Sequence, residues 1–463
     1  MEINELYDIF RKCGKVATDS RKVAGGELFF ALKGENFDGN LYAAKALEAG
    51  AAYAVVDADS QVVEFSGDYI DASGCSRIIP VTSTLGTLQA LARHHRENVR
   101  SPRLPVIGIT GTNGKTTTKE LIRSVLAAKF NVKATEGNLN NDIGVPLTLL
   151  SIGSGTEIAV VEMGASHPDD IEKLVKVSEP DYGIITNVGK AHLLGFGSFD
   201  GVKKAKGALY DYVAAHDGEV FVNADDADLV SMAESRSGMV LIPYGIENDE
   251  VEILTVSPEE PFLRLGFPDG RVLKTALVGS YNAANVLAAL CIGRHFGVDE
   301  DAAFAAISSY TPSNSRSQMV RTADNTLIVD AYNANPSSMR AALDNFSRIE
   351  ASHKTALLGD MRELGENSVN EHIDILRLAL SLGISDLCLV GDEFSKAMKS
   401  VDCPPTVRWY PDSAALASAL HDAPLAGHVI LIKGSRGIMM EKVLRGVSID
   451  ACYSGCGYDI DFV

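Results

Sequence analysis

Basic residues are in short supply: 42 Lys and Arg stand against 61 Asp and Glu, for a net charge of −19. That balance excludes broad contact with nucleic acid or an anionic membrane through a basic face, so a phosphorylated ligand must be met by local donors and metal ions. No apolar run reaches the ~18 residues that suggest a membrane span. The start, Met1-Glu2-Ile3-Asn4-Glu5, has no basic region followed by an apolar one. The expectation is a cytoplasmic protein without membrane insertion. Cysteine is sparse as well. Cys13, Cys75, Cys291, Cys388, Cys403, Cys452 and Cys456 are scattered, with no Cys-x-x-Cys pair, which supports neither a disulfide framework nor a zinc site. The last two lie in the tail Tyr453-Ser454-Gly455-Cys456-Gly457-Tyr458, which has no usable periodicity. Solenoid repeats and long low-complexity segments are missing too.

What is present is ample core material: 46% hydrophobic and 22% charged residues, with 41 glycines and 16 prolines, in a chain of 463 residues. At roughly 150 residues per domain this suggests three folding units. The first hundred residues read as a small α/β unit, with Glu27 to Leu32 and Ala54 to Val56 strand-like and Leu41 to Ala49 helical. Polar residues and a proline at Glu97 to Arg103 break the pattern. From Leu104 on, apolar strands alternate with helical stretches: Leu104 to Ile109, Ile158 to Val161, Gly183 to Thr186, Val220 to Val222 and Val240 to Ile242. This alternation implies a parallel sheet covered by helices. After a turn-rich break at Tyr310 to Ser315, strands at Thr326 to Val329, Thr355 to Leu358, Leu387 to Val390 and Val429 to Ile432 repeat the theme. The expected architecture is α/β in three domains, residues 1–101, 102–312 and 313–463. A central parallel sheet carries a phosphate loop and is flanked by an N-terminal α/β domain and a C-terminal Rossmann-like domain.

Ligands in such sheets sit outside the carboxyl ends of the strands, which directs attention to the turns. The strongest signal is Gly108-Ile109-Thr110-Gly111-Thr112-Asn113-Gly114-Lys115-Thr116-Thr117, between the strand at 104–109 and a helical stretch read at Lys119 to Phe130. Such a loop aims backbone N–H groups at phosphate oxygens, while Lys115 supplies a point charge and Thr116 a metal-binding hydroxyl. The generic G-x-x-x-x-G-K-[ST] pattern is not strictly met, because Ile109 falls where its first glycine belongs. ATP is the expected ligand, with magnesium. Glu162, at the end of a strand, is the expected first metal ligand; on spacing alone it also reads as a solvated strand-end carboxylate.

Gly111-Thr112-Asn113-Gly114-Lys115-Thr116-Thr117 resembles the variant phosphate loop of the Mur ligase family of ATP-dependent peptidoglycan-precursor ligases. The resemblance runs over nearly the whole chain. It takes in Asp19-Ser20-Arg21, Val161-Glu162-Met163-Gly164-Ala165, Thr186-Asn187-Val188-Gly189-Lys190-Ala191-His192, and Gly279-Ser280-Tyr281-Asn282-Ala283-Ala284-Asn285. Asn140-Asn141-Asp142-Ile143-Gly144-Val145-Pro146, Tyr332-Asn333-Ala334-Asn335-Pro336 and Leu358-Gly359-Asp360-Met361-Arg362-Glu363-Leu364-Gly365 are most similar to the branch that adds D-alanyl-D-alanine to UDP-MurNAc-tripeptide. The alternatives are another Mur-type amino-acid ligase or a folylpolyglutamate-type synthase, the latter usually carrying Gly-Lys-Gly-Ser where this chain has Gly114-Lys115-Thr116-Thr117. A nucleotide-gated switch or motor leaves the matches at Lys206 and Tyr332-Asn333 without a role.

The resemblance implies two Mg²⁺ ions and the following roles. His192 matches the second-metal ligand, although a histidine after a strand is by itself more often a structural hydrogen-bonding group. Lys206, fourteen positions later, resembles the lysine that is carbamylated in related ligases; Lys203 and Lys204 compete for that match. Asn282 and Asn285 match residues near the adenine, with helix capping as the plain reading. Arg316 is expected toward phosphate, Asp330 toward ribose, and Tyr332 and Asn333 beside the nucleotide. Ser20 and Arg21 match contacts to the uridine diphosphate, and Asn138, Asn140 and Asn141 line the acceptor channel. Lys433, Ser435 and Arg436 are expected to meet the dipeptide's carboxylate. The enzyme is expected to be a monomer that phosphorylates a carboxylate and lets an amine attack the acyl phosphate.

Overall fold

The structure is a computed structural model. It describes residues 1–447 except 35, 62, 64–66, 68, 71–73, 75, 100, 101, 256–260, 313–315 and 385. Cys75, Cys452, Cys456 and the C-terminal tail lie outside the described residues, as do Ser101 and Ser313 at the two expected boundaries. Cys13, Cys291, Cys388 and Cys403 are free thiols.

The first unit holds a four-stranded parallel sheet in the order Val16–Ala17, Leu28–Phe30, Tyr53–Asp57, Ile78–Val81. Its helix Thr84–Asn98 packs Leu88, Leu91 and Ala92 into one core with Val106, Val145 and Leu149 of the central unit. Arginines secure this joint. Buried Arg96 donates to Ser178 O (3.1 Å), Glu179 O (2.9 Å) and Asp181 Oδ2 (2.7 Å), and Arg93 and Arg103 grip the Glu179 carboxylate at 2.7 and 2.9 Å.

The central sheet is six-stranded and wholly parallel, in the order Val240–Tyr244, Glu219–Asn223, Tyr182–Ile185, Val106–Thr110, Ile158–Glu162, Val132–Ala134. The chain leaves Val106–Thr110 to one side and later returns to pair on its other side. Connections thus diverge at that strand's carboxyl end and open a crevice there. The sequence reading of 104–109 is displaced slightly, and the helix after the phosphate loop runs Lys115–Leu126 rather than starting at Lys119. Gly114, at φ 77, makes the sharp entry that lets the helix begin at once. Alternation did not anticipate a separate antiparallel sheet of Glu252–Ile253, Phe262–Gly266 and Val272–Val278, which covers the core beside the helix Ala283–His295.

The third unit's sheet runs Gln318–Arg321, Thr326–Asp330, Val429–Lys433, Lys354–Gly359, Leu387–Val390, Val407–Tyr410, parallel except for its first strand. Two apolar clusters, one on each face, complete a three-layer unit. Among the described residues no helix is long and apolar enough to cross a membrane.

Candidate active site

A cleft of about 730 Å³ lies between the central and third units. Its floor is the phosphate loop. Gly111 (φ 149) presses against Thr186 so closely that a Cβ would collide with its hydroxyl. The turn after Tyr182–Ile185 holds the loop open: Asn187 Oδ1 accepts from Asn113 N (3.0 Å), Asn113 O accepts from Thr186 Oγ1 (2.6 Å) and Asn187 Nδ2 (2.9 Å), and Thr112 Oγ1 accepts from Gly189 N (3.0 Å). The Thr186 to Gly189 run is therefore a brace for the loop. Lys115 Nζ donates to Gly111 O (2.9 Å) and Thr112 O (3.2 Å), and burial pulls its pKa down.

Glu162 ends its strand 1% exposed. Its Oε1 accepts from Thr116 Oγ1 (3.2 Å) and Asn140 Nδ2 (2.9 Å), whereas Oε2 is buried without a hydrogen-bond partner. A buried carboxylate oxygen with open lone pairs beside a loop threonine is a donor set of hard oxygens that fits Mg²⁺. Among the described residues no group of three or more His, Cys, Asp or Glu could hold a metal. A cation here would draw on one carboxylate, a hydroxyl and phosphate oxygens, which is how Mg²⁺ is commonly bound beside nucleotides.

Lys206, on the helix Phe199–Ala215, is 2% exposed and donates to Gly111 O at 3.0 Å. Burial, with Lys115 nearby, pushes its pKa well below the ordinary lysine value. Of the three neighbouring lysines it alone turns to the loop: Lys203 pairs with Asp228 at 2.6 Å and Lys204 is exposed. His192 sits in the left-handed region (φ 50), and its Nδ1 meets the carboxylate of Glu363, itself at φ 64, from the third unit. Burial lowers the His192 pKa against the pull of Glu363. Paired strained residues of this kind tend to mark working sites.

The third unit supplies the cleft's other wall. Arg316 stacks its guanidinium 3.6 Å from the Tyr332 ring centroid, and Asn335 Nδ2 donates to Asn113 Oδ1 at 2.8 Å. Asp330 and Asn333 also line the cleft. Lys433 departs from its expected place at the dipeptide carboxylate: it is buried, ion-paired with Asp330 and bonded to Asn333 O (3.3 Å), so its charge is used internally. Ser435 Oγ is likewise engaged, donating to Ala334 O (3.1 Å) and accepting from Arg362 N (2.9 Å). A smaller cleft of about 130 Å³ adjoins the first and is lined by Arg362, Arg436, Ser435, Asn333 and His192 among others.

Asn282 and Asn285 line the large cleft with most of their capacity engaged. Asn282 donates to Val278 O (2.9 Å) and accepts from Asn285 Nδ2 (2.9 Å), and Asn285 Oδ1 accepts from Thr118 (3.0 Å). They tie the phosphate-loop helix to the helix Ala283–His295. Asn140 and Asn141 reach the cleft, but Asn138 is not among its lining residues, and Asn141 Oδ1 is occupied by Gly144 N at 2.8 Å. Ser20 and Arg21 lie away from the cleft in the first unit, where the Arg21 fork grips Asp19 at 2.9 and 3.0 Å.

Family models match each unit: "Mur ligase family, catalytic domain" over residues 14–96, "Mur ligase middle domain" over 109–293 and "Mur ligase, glutamate ligase domain" over 315–436. The chain belongs to the Mur ligase family. It is 33% identical over 440 residues to the UDP-N-acetylmuramoyl-tripeptide–D-alanyl-D-alanine ligase of Bacillus subtilis (strain 168), covering 93% of this chain and 92% of that one. Among solved structures, MurF from Acinetobacter baumannii matches with a TM-score of 0.79 at 29% identity, covering 93% of this chain and 92% of that one. MurF ligase from Thermotoga maritima, in complex with ADP, matches with a TM-score of 0.80 at 26% identity, covering 95% and 97%. The expected family and the α/β architecture are both borne out.

Several residues of this Mur ligase site escaped the sequence reading. Asn187, Asn335, Arg362 and Glu363 lay inside quoted motifs without a role. Lys190, 3.0 Å from the buried Glu371 across the interface, gave no sign of a partner so distant in sequence. Lys119 did leave a signal: a lysine in line with the apolar positions Ile122 and Leu126 of its helix.

Proposed function

We propose that this Mur ligase joins D-alanyl-D-alanine to UDP-MurNAc-tripeptide at the expense of ATP, forming ADP and phosphate, in cytoplasmic peptidoglycan precursor synthesis. Supporting the reading is one cleft in which the phosphate loop, Glu162 and His192 face Arg316, Tyr332 and Asn333 of another unit, with Lys206 buried against the loop at Gly111 O. A motor or simple switch needs no such second wall of polar groups.

The three units divide the work as residues 1–101 for the UDP portion, 102–312 for ATP and 313–463 for the dipeptide. Lys115 exchanges its loop carbonyls for phosphate oxygens, and the N-terminus of its helix adds backbone donors. Thr116, Glu162, His192 and carbamylated Lys206 would hold two Mg²⁺ ions. When bound, Mg²⁺ offsets the repulsion between carboxylate and phosphate and the charge developing on the transferred group. His192 keeps Nε2 free for that task because Nδ1 is held by Glu363. Burial favours the neutral amine at Lys206, the form whose nitrogen forms a bond to CO₂ with loss of a proton. Arg316, held against Tyr332, reaches the nucleotide from the third unit. Arg362 and Arg436, at the smaller cleft, receive the dipeptide's terminal carboxylate in place of Lys433. Enclosure by the third unit keeps water from the acyl phosphate.

The deciding measurement is phosphate release with UDP-MurNAc-tripeptide, with and without D-alanyl-D-alanine, and the mass of the product. Release that ignores the dipeptide, or a product of unchanged mass, refutes the proposal. For Lys206, full activity after removal of CO₂, with no added mass in native mass spectrometry, rules out carbamylation.

A further inference from the structure

The helix after the phosphate loop carries a lysine where its pattern asks for an aliphatic side chain. Lys119 is 0% exposed, and its Nζ lies 2.5 Å from Thr135 O, 3.1 Å from Glu120 Oε1 and 3.7 Å from Glu162 Oε2. Thr135 closes a ring, because its Oγ1 accepts from Glu162 N at 2.9 Å. The two oxygens of Glu162 therefore differ. Oε1 is hydrogen-bonded by Thr116 and Asn140, while Oε2 has no hydrogen bond and faces the Lys119 ammonium.

Burying a carboxylate is costly unless a positive charge compensates it. Lys119 supplies part of that charge, alongside Lys115 on the phosphate loop, from beyond hydrogen-bond range and so leaves the Oε2 lone pairs open. The same ammonium repels any second cation that shares the carboxylate. Phosphates arriving with the nucleotide supply the negative charge that tips the balance toward a divalent ion.

We propose that Lys119 is a positioning residue of the ligase site, a resident cation that balances Glu162 until nucleotide brings a divalent ion, so that the enzyme alone binds that ion weakly. The proposal rests on the reading of Glu162 as a metal ligand.

The test uses Mn²⁺ as the probe and the full-length enzyme. Lys119→Gln keeps an N–H donor for Thr135 O and removes the charge; Lys119→Arg keeps the charge. Without nucleotide, free Mn²⁺ followed by electron paramagnetic resonance should show K119Q binding about tenfold tighter or more, with K119R like the wild type. A merely structural lysine lowers stability without tightening Mn²⁺. Equal or weaker binding by a K119Q protein with a native circular-dichroism spectrum overturns the proposal. Should K119Q not fold, Glu120→Gln serves: it unmasks the Lys119 charge and weakens Mn²⁺ binding several-fold, and unchanged binding is the overturning result. Glu162→Gln with Mn²⁺ and ADP tests the underlying reading separately. Undiminished binding there refutes Glu162 as a ligand; diminished binding there, with unchanged K119Q, refutes only the role of Lys119.

Discussion

Lys206→Met should raise thermal stability while abolishing ligation, and the size of the gain follows from the contacts of the ammonium. The group has three N–H donors. The structure gives it one hydrogen bond, to Gly111 O at 3.0 Å, and a ring contact, with Nζ 5.8 Å from the Phe196 centroid. Losing these costs about 1 kcal/mol for the hydrogen bond and about 0.5–1 kcal/mol for the cation–π contact. Gly111 O is not orphaned, because Lys115 Nζ still donates to it at 2.9 Å. Against that loss stands relief of a buried amine whose charged form is penalised by burial and by Lys115 nearby, and replacing buried ionic groups by apolar ones is often neutral or stabilising by about 1–4 kcal/mol. The upper half of that range outweighs the loss and leaves a net gain of up to roughly 2.5 kcal/mol, which translates into up to about 10 °C for a domain of some 200 residues. Calorimetry in CO₂-depleted buffer is the suitable assay, since the single tryptophan, Trp409, belongs to the third unit and reports the wrong transition. The pH dependence carries a sign. The folded pKa of Lys206 is depressed, so its contribution is most favourable above the unfolded value of about 10.4 and is lost as pH falls below it. The advantage of the variant is therefore large near neutrality and shrinks toward pH 10. A midpoint that falls, or a gap that does not narrow with rising pH, refutes the account of Lys206 as a buried, uncompensated amine.

Lys115→Ala should lower ligation by about 10²–10³-fold or more, as for other groups stabilising developing charge. Binding of the UDP substrate, followed calorimetrically, should be largely kept, and near-normal turnover contradicts the role given to Lys115. Arg362→Ala and Arg436→Ala should each raise the KM for D-alanyl-D-alanine roughly 10- to 100-fold, the scale of a charged hydrogen bond, with the KM for ATP unmoved; steady-state kinetics checks both. His372 accepts from Met361 N at 2.9 Å through Nε2, and burial holds its pKa below the usual value. Its stabilising contribution is present above pH 6.5 and is lost as pH falls below that. Thermal midpoints of the wild type should therefore decline from pH 6.5 downward more steeply than those of His372→Gln, and parallel profiles tell against the assignment.

The chemistry-bearing turns were legible because phosphate binding constrains local sequence: Gly111, Gly114, Lys115 and Thr116 need only their own backbone to declare themselves. Strand alternation likewise revealed the parallel sheets. What stayed hidden depends on residues far apart in the chain. Lys433 looked available for a carboxylate until Asp330, about a hundred positions away, was seen to occupy it. Asn282 and Asn285 looked like base readers, yet their nearest polar partners are each other, Val278 O and Thr118. The antiparallel sheet at 252–278 was missed because its two- to seven-residue strands mix charged and apolar positions on a surface only half covered.

The first and second units are joined by a shared apolar core and by Arg93, Arg96 and Arg103. The third meets the second through Val278, which joins the third unit's apolar cluster, and through polar pairs: Asn335 with Asn113, Glu363 with His192, and Glu371 with Lys190. The molecule is thus a two-part vice whose jaws touch in part through groups, Asn113, Asn335 and His192, that also line the cleft. Should the jaws tighten on the substrates, tightening and filling of the gap become one equilibrium, drawn from one store of binding energy. A substrate fragment that reaches only one jaw forfeits the tightening as well as its own missing contacts, so truncation should depress turnover more than affinity.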